Sequence, residues 1–357
     1  MIETGGNSSS SELARGLAIE IRDAFGLDHL ALTERPFPPP GCGQVVVRVR
    51  AASLNYRDLM TVEGRYNPKQ KLPLIPCSDG AGEVVALGDG VSRVRLGDRV
   101  SSVFAPHWTA GAADRERLRA TLGGPLDGML AELVALDEDG VVAVPEHLSD
   151  EEAATLPCAA VTAWTALLGA GTDGGEGGLR AGDTVLLQGT GGVSIFALQF
   201  AVLAGARAIV LSSSDAKLER ARQMGAAATI NYRQLPQWGA RVKELTGGRG
   251  VDHVLEVGGA ATLAQSLQAV RIGGRISLIG FLSGTAAEIS LTAIQMRKVR
   301  VEGIMVGSRE SFEAMNRAIA LHRLHPVVDR AFPLADARAA FDHMASGNHF
   351  GKIVIQL

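Results

Sequence analysis

The sequence predicts an α/β protein that combines a doubly wound parallel sheet with a second, β-rich unit. An apolar run at 185–187 leads through a glycine-rich turn into an apolar helix. From about Asp150 onward strand-like and helix-like segments alternate, which is typical of a parallel sheet with right-handed crossovers. Before that point β-branched segments are separated by Gly-Asp turns, which indicates a compact β-rich region.

The glycine-rich turn carries the pattern of a dinucleotide-binding site. Backbone N–H groups at a helix N-terminus bind a pyrophosphate, and a Cβ at the turn would hold the phosphate off. Gly189 and Gly191 stand at the first two positions of the fingerprint, whereas Ser194 replaces the usual Gly or Ala at the third. We expect Ser194 to loosen helix–strand packing slightly, and we expect cofactor contacts from the turn residues Gly189, Thr190, Gly191, Gly192 and Val193. A tight strand-to-helix turn without a ligand is the alternative.

The order of elements can be predicted on both sides of this turn. In the β-rich part, strands are expected at 44–50, 82–86 and 99–104. In the second part, strands are expected at 184–188, 207–211, 251–257, 275–279 and 299–306, with helices at 215–224 and 261–270.

Composition limits the functional classes. A chain of 357 residues favours two domains, and a net charge of −3 with scattered Lys and Arg excludes nucleic acid and membrane surfaces as main partners. Cys42, Cys77 and Cys158 lie far apart, which excludes a disulfide framework and favours a reducing cytoplasm. Residues 1–16 are rich in Ser and Gly without an apolar core, and are expected to form a flexible leader.

The end of the second predicted strand of the parallel sheet indicates which nicotinamide cofactor is used. An acidic side chain there binds the ribose of NAD, whereas small polar and basic groups accommodate the 2′-phosphate of NADP. This chain has Ser212 and Ser213 at that point, Lys217 one helical turn on, and Tyr232 after the next strand-like stretch. NADP(H) is therefore predicted. Two alternatives stay open, since Ser214 could simply cap a helix beside a solvated Lys217, and Asp215 could reach the ribose or repel the phosphate.

Several motifs in order resemble the medium-chain dehydrogenase/reductase superfamily. They are Asn55-x-x-Asp58, the segment 78–84, Gly97-Asp98-Arg99-Val100 and the strand, glycine turn and helix at 184–200. The resemblance covers about 17–357, and the similar branch is that of zinc-independent quinone oxidoreductases and enoyl reductases. It implies a GroES-like catalytic domain at 17–149 and 323–357, a Rossmann cofactor domain at 150–322, and a homodimer.

The resemblance also implies that no metal is bound. Zinc-dependent members take ligands from a cysteine, here Asn55, from a His-Glu pair, here Ser78 and Asp79, and from a later cysteine near Cys158. Only Cys158 remains, and Asn and Ser are poor zinc ligands. Cys158 is expected to pack at the domain junction near the nicotinamide, without a nucleophilic role.

Further site residues follow from the resemblance. It places Thr162, Gly280, Phe281, Val306 and Ser308 near the nicotinamide, and brings a segment of the other domain to the cofactor through Asn348, Phe350 and Lys352.

The resemblance also suggests catalytic residues. In related enoyl reductases a tyrosine eleven residues after the motif asparagine donates a proton, and Tyr66 has that spacing from Asn55. Tyr56 is the second candidate, and either ring could instead form a lid. Asn55 would position the nicotinamide ribose or substrate, and Asp58 would hold the loop.

The predicted function is NADPH-dependent reduction of a small quinone, enone or enoyl compound by hydride transfer. Two alternatives remain: an alcohol dehydrogenase that recruits zinc through unexpected ligands, and a cofactor-binding structural or sensor protein without activity.

Overall fold

The computed structural model describes residues 15–37, 39–169 and 178–357. The predicted leader at 1–16 lies mostly outside the described residues, and its last two positions belong to a strand that begins at Arg15. None of the helices in the described segments combines the length and apolarity that crossing a bilayer requires.

The parallel sheet is confirmed. Within the described residues it has six strands in the order β10-β9-β8-β11-β12-β13, all neighbours being parallel. Its strands are β8 (Thr184–Gln188), β9 (Arg207–Ser212), β10 (Ala228–Asn231), β11 (Val251–Glu256), β12 (Val270–Leu278) and β13 (Arg300–Gly303).

The order of strands reverses between β8 and β11, so their carboxyl ends form the switch point where ligands bind in such sheets. The glycine-rich turn follows β8 directly and therefore opens at this edge.

The second sheet is mainly antiparallel and joins both ends of the chain. Its described strands follow the order β14-β15-β3-β4-β5-β7, and β6 pairs with β3. They are β3 (Gln44–Leu54), β4 (Asp79–Leu87), β5 (Arg99–Ser102), β6 (Leu133–Asp137), β7 (Val141–Ala143), β14 (Val328–Pro333) and β15 (Lys352–Gln356). A hairpin of β1 (Arg15–Ile21) and β2 (Leu30–Pro36) stands beside it. Because β15 pairs with β3, residues near position 352 lie next to residues near position 54.

The helices of the described segments cover both faces of the parallel sheet and one end of the other sheet. They are α1 (Tyr56–Val62), α2 (Arg115–Arg119), α3 (Asp150–Ala154), α4 (Val161–Leu168), α5 (Gly192–Leu203), α6 (Asp215–Gln223), α7 (Trp238–Leu245), α8 (Leu263–Ala269), α9 (Leu291–Gln295), α10 (Arg309–His322) and α11 (Ala337–Ala345). A π-helical turn, Leu156–Ala160, precedes α4.

One hydrophobic core spans the junction between the two sheets. It includes buried side chains from the residues just after β5, from the π-helical turn and from α4, α5 and α10. Among them are Phe104, Leu156, Phe196, Phe200 and Phe312. Burial of this much apolar surface fixes the carboxyl edge of the parallel sheet against the β-rich part. The site described below lies on that junction.

Candidate active site

The glycine-rich turn has the backbone geometry that a phosphate site requires. Gly189 has φ 76°, in the left-handed region, and its N–H donates to Leu211 O at 2.8 Å. Gly191 is the N-cap of α5, so the first amides of that helix point out of the turn. The expectation that Ser194 loosens the packing is wrong, because its buried hydroxyl donates to Gln188 O at 2.6 Å and ties the helix to the strand.

A segment from the other end of the chain lies directly on this turn. The N–H of Gly351 donates to Thr190 O at 2.9 Å, and Gly191 pairs with Gly351 as a parallel bridge. A Cβ added to Gly192 would lie 2.6 Å from Lys352 Cδ and 3.1 Å from Ala159 Cβ. Glycine at 192 therefore gives room to the Lys352 side chain as well as to a ligand.

Lys352 places a buried ammonium at the junction. Its Nζ donates to Asn55 Oδ1 at 2.6 Å and to Leu54 O at 2.7 Å, and lies 3.6 Å from Asp79 Oδ2. The residue is only 3% exposed. A buried charge needs such partners, because unpaired burial is costly.

Asp79 is the acidic partner of this ammonium. Its carboxylate accepts the Ser78 hydroxyl at 2.7 Å and the backbone N–H of Cys158 at 3.2 Å. Burial raises the pKa of Asp79 above its usual range, although Lys352 and the Asn55 side chain oppose the shift. Burial and the neighbouring Asp79 also raise the pKa of the Cys158 thiol, so the thiolate form is disfavoured.

Asn55 begins helix α1 and faces this cluster. Its backbone N–H donates to Asp58 Oδ2 at 2.7 Å, while its Oδ1 accepts from Lys352. Its Nδ2 is buried and makes no close hydrogen bond, although it lies near enough to Asp79 to favour the ionised form of that carboxyl. A buried amide N–H without an acceptor costs about 1–3 kcal/mol of stability. A ligand that accepts a hydrogen bond from Nδ2 would recover this free energy.

Asp58 is wholly buried under Asn55, and burial raises its pKa to about 6, with Arg57 opposing and Asp79 reinforcing the shift. A raised carboxyl pKa means that the folded protein holds the proton more tightly than the unfolded chain does. The fold therefore loses stability as pH rises from the unfolded pKa of about 3.9 to about 6. Relative to Asp58→Asn, the wild-type free energy of unfolding should fall by about 2 kcal/mol across this interval. Urea unfolding at pH 4.5, 5.5 and 7 measures it, and a pH-independent difference would contradict it.

The two candidate tyrosines lie at the surface beside arginines. Tyr66 is 43% exposed, and the Arg57 guanidinium carbon lies 4.9 Å from the centre of its ring. Arg57 is itself fixed by donating to Leu122 O at 2.7 Å and to Thr121 Oγ1 at 2.9 Å. Tyr56 is 38% exposed, with Arg65 5.9 Å from its ring centre. Both phenols are thus open to a ligand, with the Tyr66 ring held on a rigid arginine.

At the adenosine end, the residues predicted to choose the cofactor lie at the ends of β9 and β10. Ser212 is buried, and Ser214 caps α6 by accepting from Lys217 N. The Lys217 ammonium donates to Gly347 O at 2.7 Å. Tyr232 is exposed and its N–H bonds to Ser212 O. The structure thus brings Ser212 and Lys217 beside the segment that covers the turn.

Asp215 makes other contacts. Its carboxylate accepts from Asn231 Nδ2 at 2.8 Å and from Gln234 Nε2 at 3.0 Å. These two bonds tie the start of α6 to the last residue of β10 and to the loop that follows it.

The remaining predicted cofactor residues are spread around the same edge. Thr162 is buried in α4, Gly280 and the half-exposed Phe281 follow β12, and Ser308 caps α10. Val306 does not end a strand as expected, because β13 stops at Gly303 and Val306 has φ 52°. In the covering segment, Asn348 is exposed, while the ring of Phe350 is buried 4.0 Å from the Arg220 guanidinium.

Sequence reasoning missed three residues of this region. Asp79 was considered only as a lost zinc position, and His349 only as part of the segment 348–352 that the resemblance brings to the cofactor, without a role of its own. Glu256, wholly buried at the end of β11, accepts from Gln188 Nε2 at 2.7 Å, Thr262 Oγ1 at 2.6 Å and Gly259 N at 3.0 Å. An acidic residue at a buried strand end before two glycines was the available signal for Glu256.

Comparisons with known proteins agree with this architecture. Residues 41–146 match the alcohol dehydrogenase GroES-like domain, and residues 192–320 match the zinc-binding dehydrogenase family. A zinc-type alcohol dehydrogenase-like protein of Schizosaccharomyces pombe is 42% identical over 93% of this chain and 96% of its own length.

Two solved structures extend the comparison. An NAD-dependent alcohol dehydrogenase matches with a TM-score of 0.85 and 33% identity, covering 96% of this chain and 99% of that one. A crotonyl-CoA carboxylase/reductase in complex with NADP matches with a TM-score of 0.83 and 25% identity, covering 96% and 94%. The paired sheets, the glycine turn at the switch point and these relatives lead to one conclusion: the chain belongs to the medium-chain dehydrogenase/reductase superfamily of oxidoreductases.

Proposed function

We propose that the protein is a zinc-independent, NADPH-dependent reductase of quinones or α,β-unsaturated carbonyl or enoyl compounds. The observation that carries the proposal is the buried Lys352 ammonium, bound to Asn55 and 3.6 Å from Asp79. Asn55 and Asp79 stand at positions from which zinc-dependent members of the superfamily take metal ligands. A reductase of this kind needs to orient a substrate carbonyl beside a dihydronicotinamide, and the unpaired Asn55 amide supports that role.

The donor chemistry at these positions does not fit catalytic zinc. Zinc takes thiolate, imidazole or carboxylate ligands in tetrahedral geometry. Here Asn55 and Ser78 replace two of the ligands, and a lysine ammonium already neutralises Asp79. In the described part of the chain no three His, Cys, Asp or Glu side chains group as a metal site would require. We therefore derive no catalytic step through a metal.

The chain's own residues would position the substrate and supply a proton. A bound dihydronicotinamide would supply hydride to the electron-poor carbon of the substrate. Asn55 Nδ2 would donate to the carbonyl oxygen on which negative charge develops. Tyr66 would then protonate the enolate, since a phenol O–H can donate its proton to a base as strong as an enolate.

The test is a panel of quinones, enones, enoyl thioesters and simple aldehydes, assayed by NADPH absorbance with NADH in parallel. We expect turnover of the activated acceptors with NADPH, unaffected by dialysis against a chelator. Loss of activity on chelation and its return with Zn²⁺ would favour the zinc-dependent alcohol dehydrogenase instead. Tight NADPH binding without turnover of any acceptor would favour a structural or sensor protein.

The similar structures include both an NAD-dependent enzyme and an NADP complex, so they do not distinguish the two cofactors. The preference for NADPH rests on the residues where the adenosine part of the cofactor would bind. Asp215, the one carboxylate that could oppose a 2′-phosphate from the start of α6, is occupied by Asn231 and Gln234. The Lys217 ammonium donates to Gly347 O and belongs to a residue three positions after Ser214.

Replacing Lys217 by Ala should therefore weaken NADPH selectively. A hydrogen bond to a charged group contributes about 1.5–3 kcal/mol, so the Kd for NADPH should rise about 10-fold to 100-fold. The Kd for NADH should change by less than about threefold, since only the lost bond to Gly347 affects it. Fluorescence titration measures both, with Arg222→Ala on the exposed face of the same helix as control. Equal losses for the two cofactors would refute the preference.

A further inference from the structure

His349 lies against the phosphate turn in a position that the proposed reaction does not explain. Its Nε2 is 3.8 Å from the point where a Cβ on Gly191 would stand. Its Nδ1 is buried and makes no hydrogen bond. A neutral imidazole with Nδ1 as the unpaired acceptor carries its proton on Nε2, which is the nitrogen facing the turn.

The backbone on either side of His349 is fixed. The N–H of Phe350 donates to Asp329 Oδ1 at 2.9 Å, and Gly351 is bound to Thr190. On the other side, Lys217 holds the Gly347 carbonyl. The imidazole is therefore held in place before any ligand arrives, which lowers the entropy cost of a contact made on binding.

The charges around His349 keep it neutral when the turn is empty. Burial, the ammonium of Lys217 on α6, His343 on α11 and Lys352 on β15 together lower its pKa to about 4. Asp329 on β14 is the carboxylate that opposes them, and it is shared with His343 at 2.9 Å. Arg220 on α6 adds a further cation beside Phe350. The surroundings of the imidazole thus carry excess positive charge.

We propose that His349 binds the cofactor pyrophosphate at the turn of Gly189 to Gly192 through Nε2, and takes up a proton when it does so. This rests on the nicotinamide-cofactor site of the proposed function. A pyrophosphate with two negative charges would offset the cations that now disfavour imidazolium, so the pKa of the imidazole rises on binding. Because the pKa of the imidazole is higher in the complex than in the free protein, the affinity for the pyrophosphate should increase as pH falls.

The probe is adenosine diphosphate ribose, which has the pyrophosphate but neither nicotinamide nor 2′-phosphate. Calorimetry from pH 6 to 8, in buffers of different ionisation enthalpy, gives both the Kd and the number of protons taken up. Wild-type affinity should increase about threefold to tenfold from pH 8 to pH 6, with proton uptake at pH 6.5. In His349→Gln, which keeps a donor but cannot take a proton, both the pH dependence and the uptake should disappear.

Two further measurements show which part of the ligand His349 contacts. His349→Ala should raise the Kd at pH 6 about tenfold, as expected for a lost bond to a charged group. Adenosine 2′-monophosphate, which lacks the pyrophosphate, should bind wild type and His349→Ala equally. His107→Gln, which alters an exposed imidazole, is the control, and circular dichroism verifies that each variant is folded.

Some outcomes would overturn the proposal. They are the absence of wild-type binding or proton uptake, an unchanged uptake in His349→Gln, and an equal loss of adenosine 2′-monophosphate binding in His349→Ala. Failure of the reductase proposal is a different result. A protein that binds the probe with His349-dependent proton uptake, yet reduces no acceptor, would refute the reductase alone.

Discussion

Lys352→Met should lower the free energy of unfolding by about 3–5 kcal/mol at pH 7.5, because it leaves the buried Asp79 carboxylate without its cation. The variant also removes the hydrogen bonds that Asn55 Oδ1 and Leu54 O accept from the ammonium. The loss should shrink toward pH 5. Without the ammonium the pKa of Asp79 rises further above its usual range, and a protonated carboxyl needs no counter-charge. Urea denaturation at the two pH values measures the effect.

Two companion variants show whether this loss arises from the charge pair. Lys69→Met removes an exposed ammonium and should leave stability within about 0.5 kcal/mol of wild type. The double variant Lys352→Met with Asp79→Asn removes both charges and should recover much of the loss, as for other buried pairs. A double variant no more stable than Lys352→Met alone would show that the ammonium acts through packing, not through Asp79.

Tyr66→Phe should lower kcat with an enone about 100-fold, the lower range for loss of a positioned general acid. Phenylalanine keeps the ring on the Arg57 guanidinium, so the Kd for NADPH should not change. Stopped-flow measurement of NADPH oxidation separates chemistry from product release. Tyr56→Phe removes the second candidate phenol, which has similar exposure, and is assayed beside it. A loss confined to Tyr56→Phe would assign the proton to Tyr56 instead. An unchanged rate in Tyr66→Phe would leave this side chain only the role of a lid.

Patterns of periodicity located the parallel sheet well because its strands are buried on both faces. The predicted strand 184–188 matches β8, and the predicted helix 215–224 extends one residue beyond α6. Elements with glycine or proline were harder to place. Strand β12 begins at Val270, five residues before its predicted start, and it runs through Gly273 and Gly274, a residue type that is depleted in strands. Strand β14 was not predicted, and it contains Pro333 at an edge of its sheet.

The candidate site was harder to predict, since its contacts join residues far apart in the chain. Spacing in sequence places Asn55 and Asp58 on one helical turn, but it cannot show that Lys352 donates to Asn55 from 297 residues away. The resemblance named Lys352 as a cofactor residue, whereas the contact to Asp79 required the pairing of β15 with β3. The resemblance brought His349 to the cofactor with its neighbours, but it gave this side chain no role, because its charged surroundings come from α6, α11, β14 and β15 together.

The short segment at 347–352 limits how this protein can be recombined with its relatives. One end of the segment receives the Lys217 ammonium, its middle bonds to the Thr190 carbonyl, and its other end carries the ammonium that neutralises Asp79. A chimera that exchanged only the six-stranded sheet and its helices would put a foreign turn against this native segment. We therefore expect that exchanging the six-stranded sheet alone would not transfer cofactor preference. A chimera should include residues 347–352 from the same parent as the sheet.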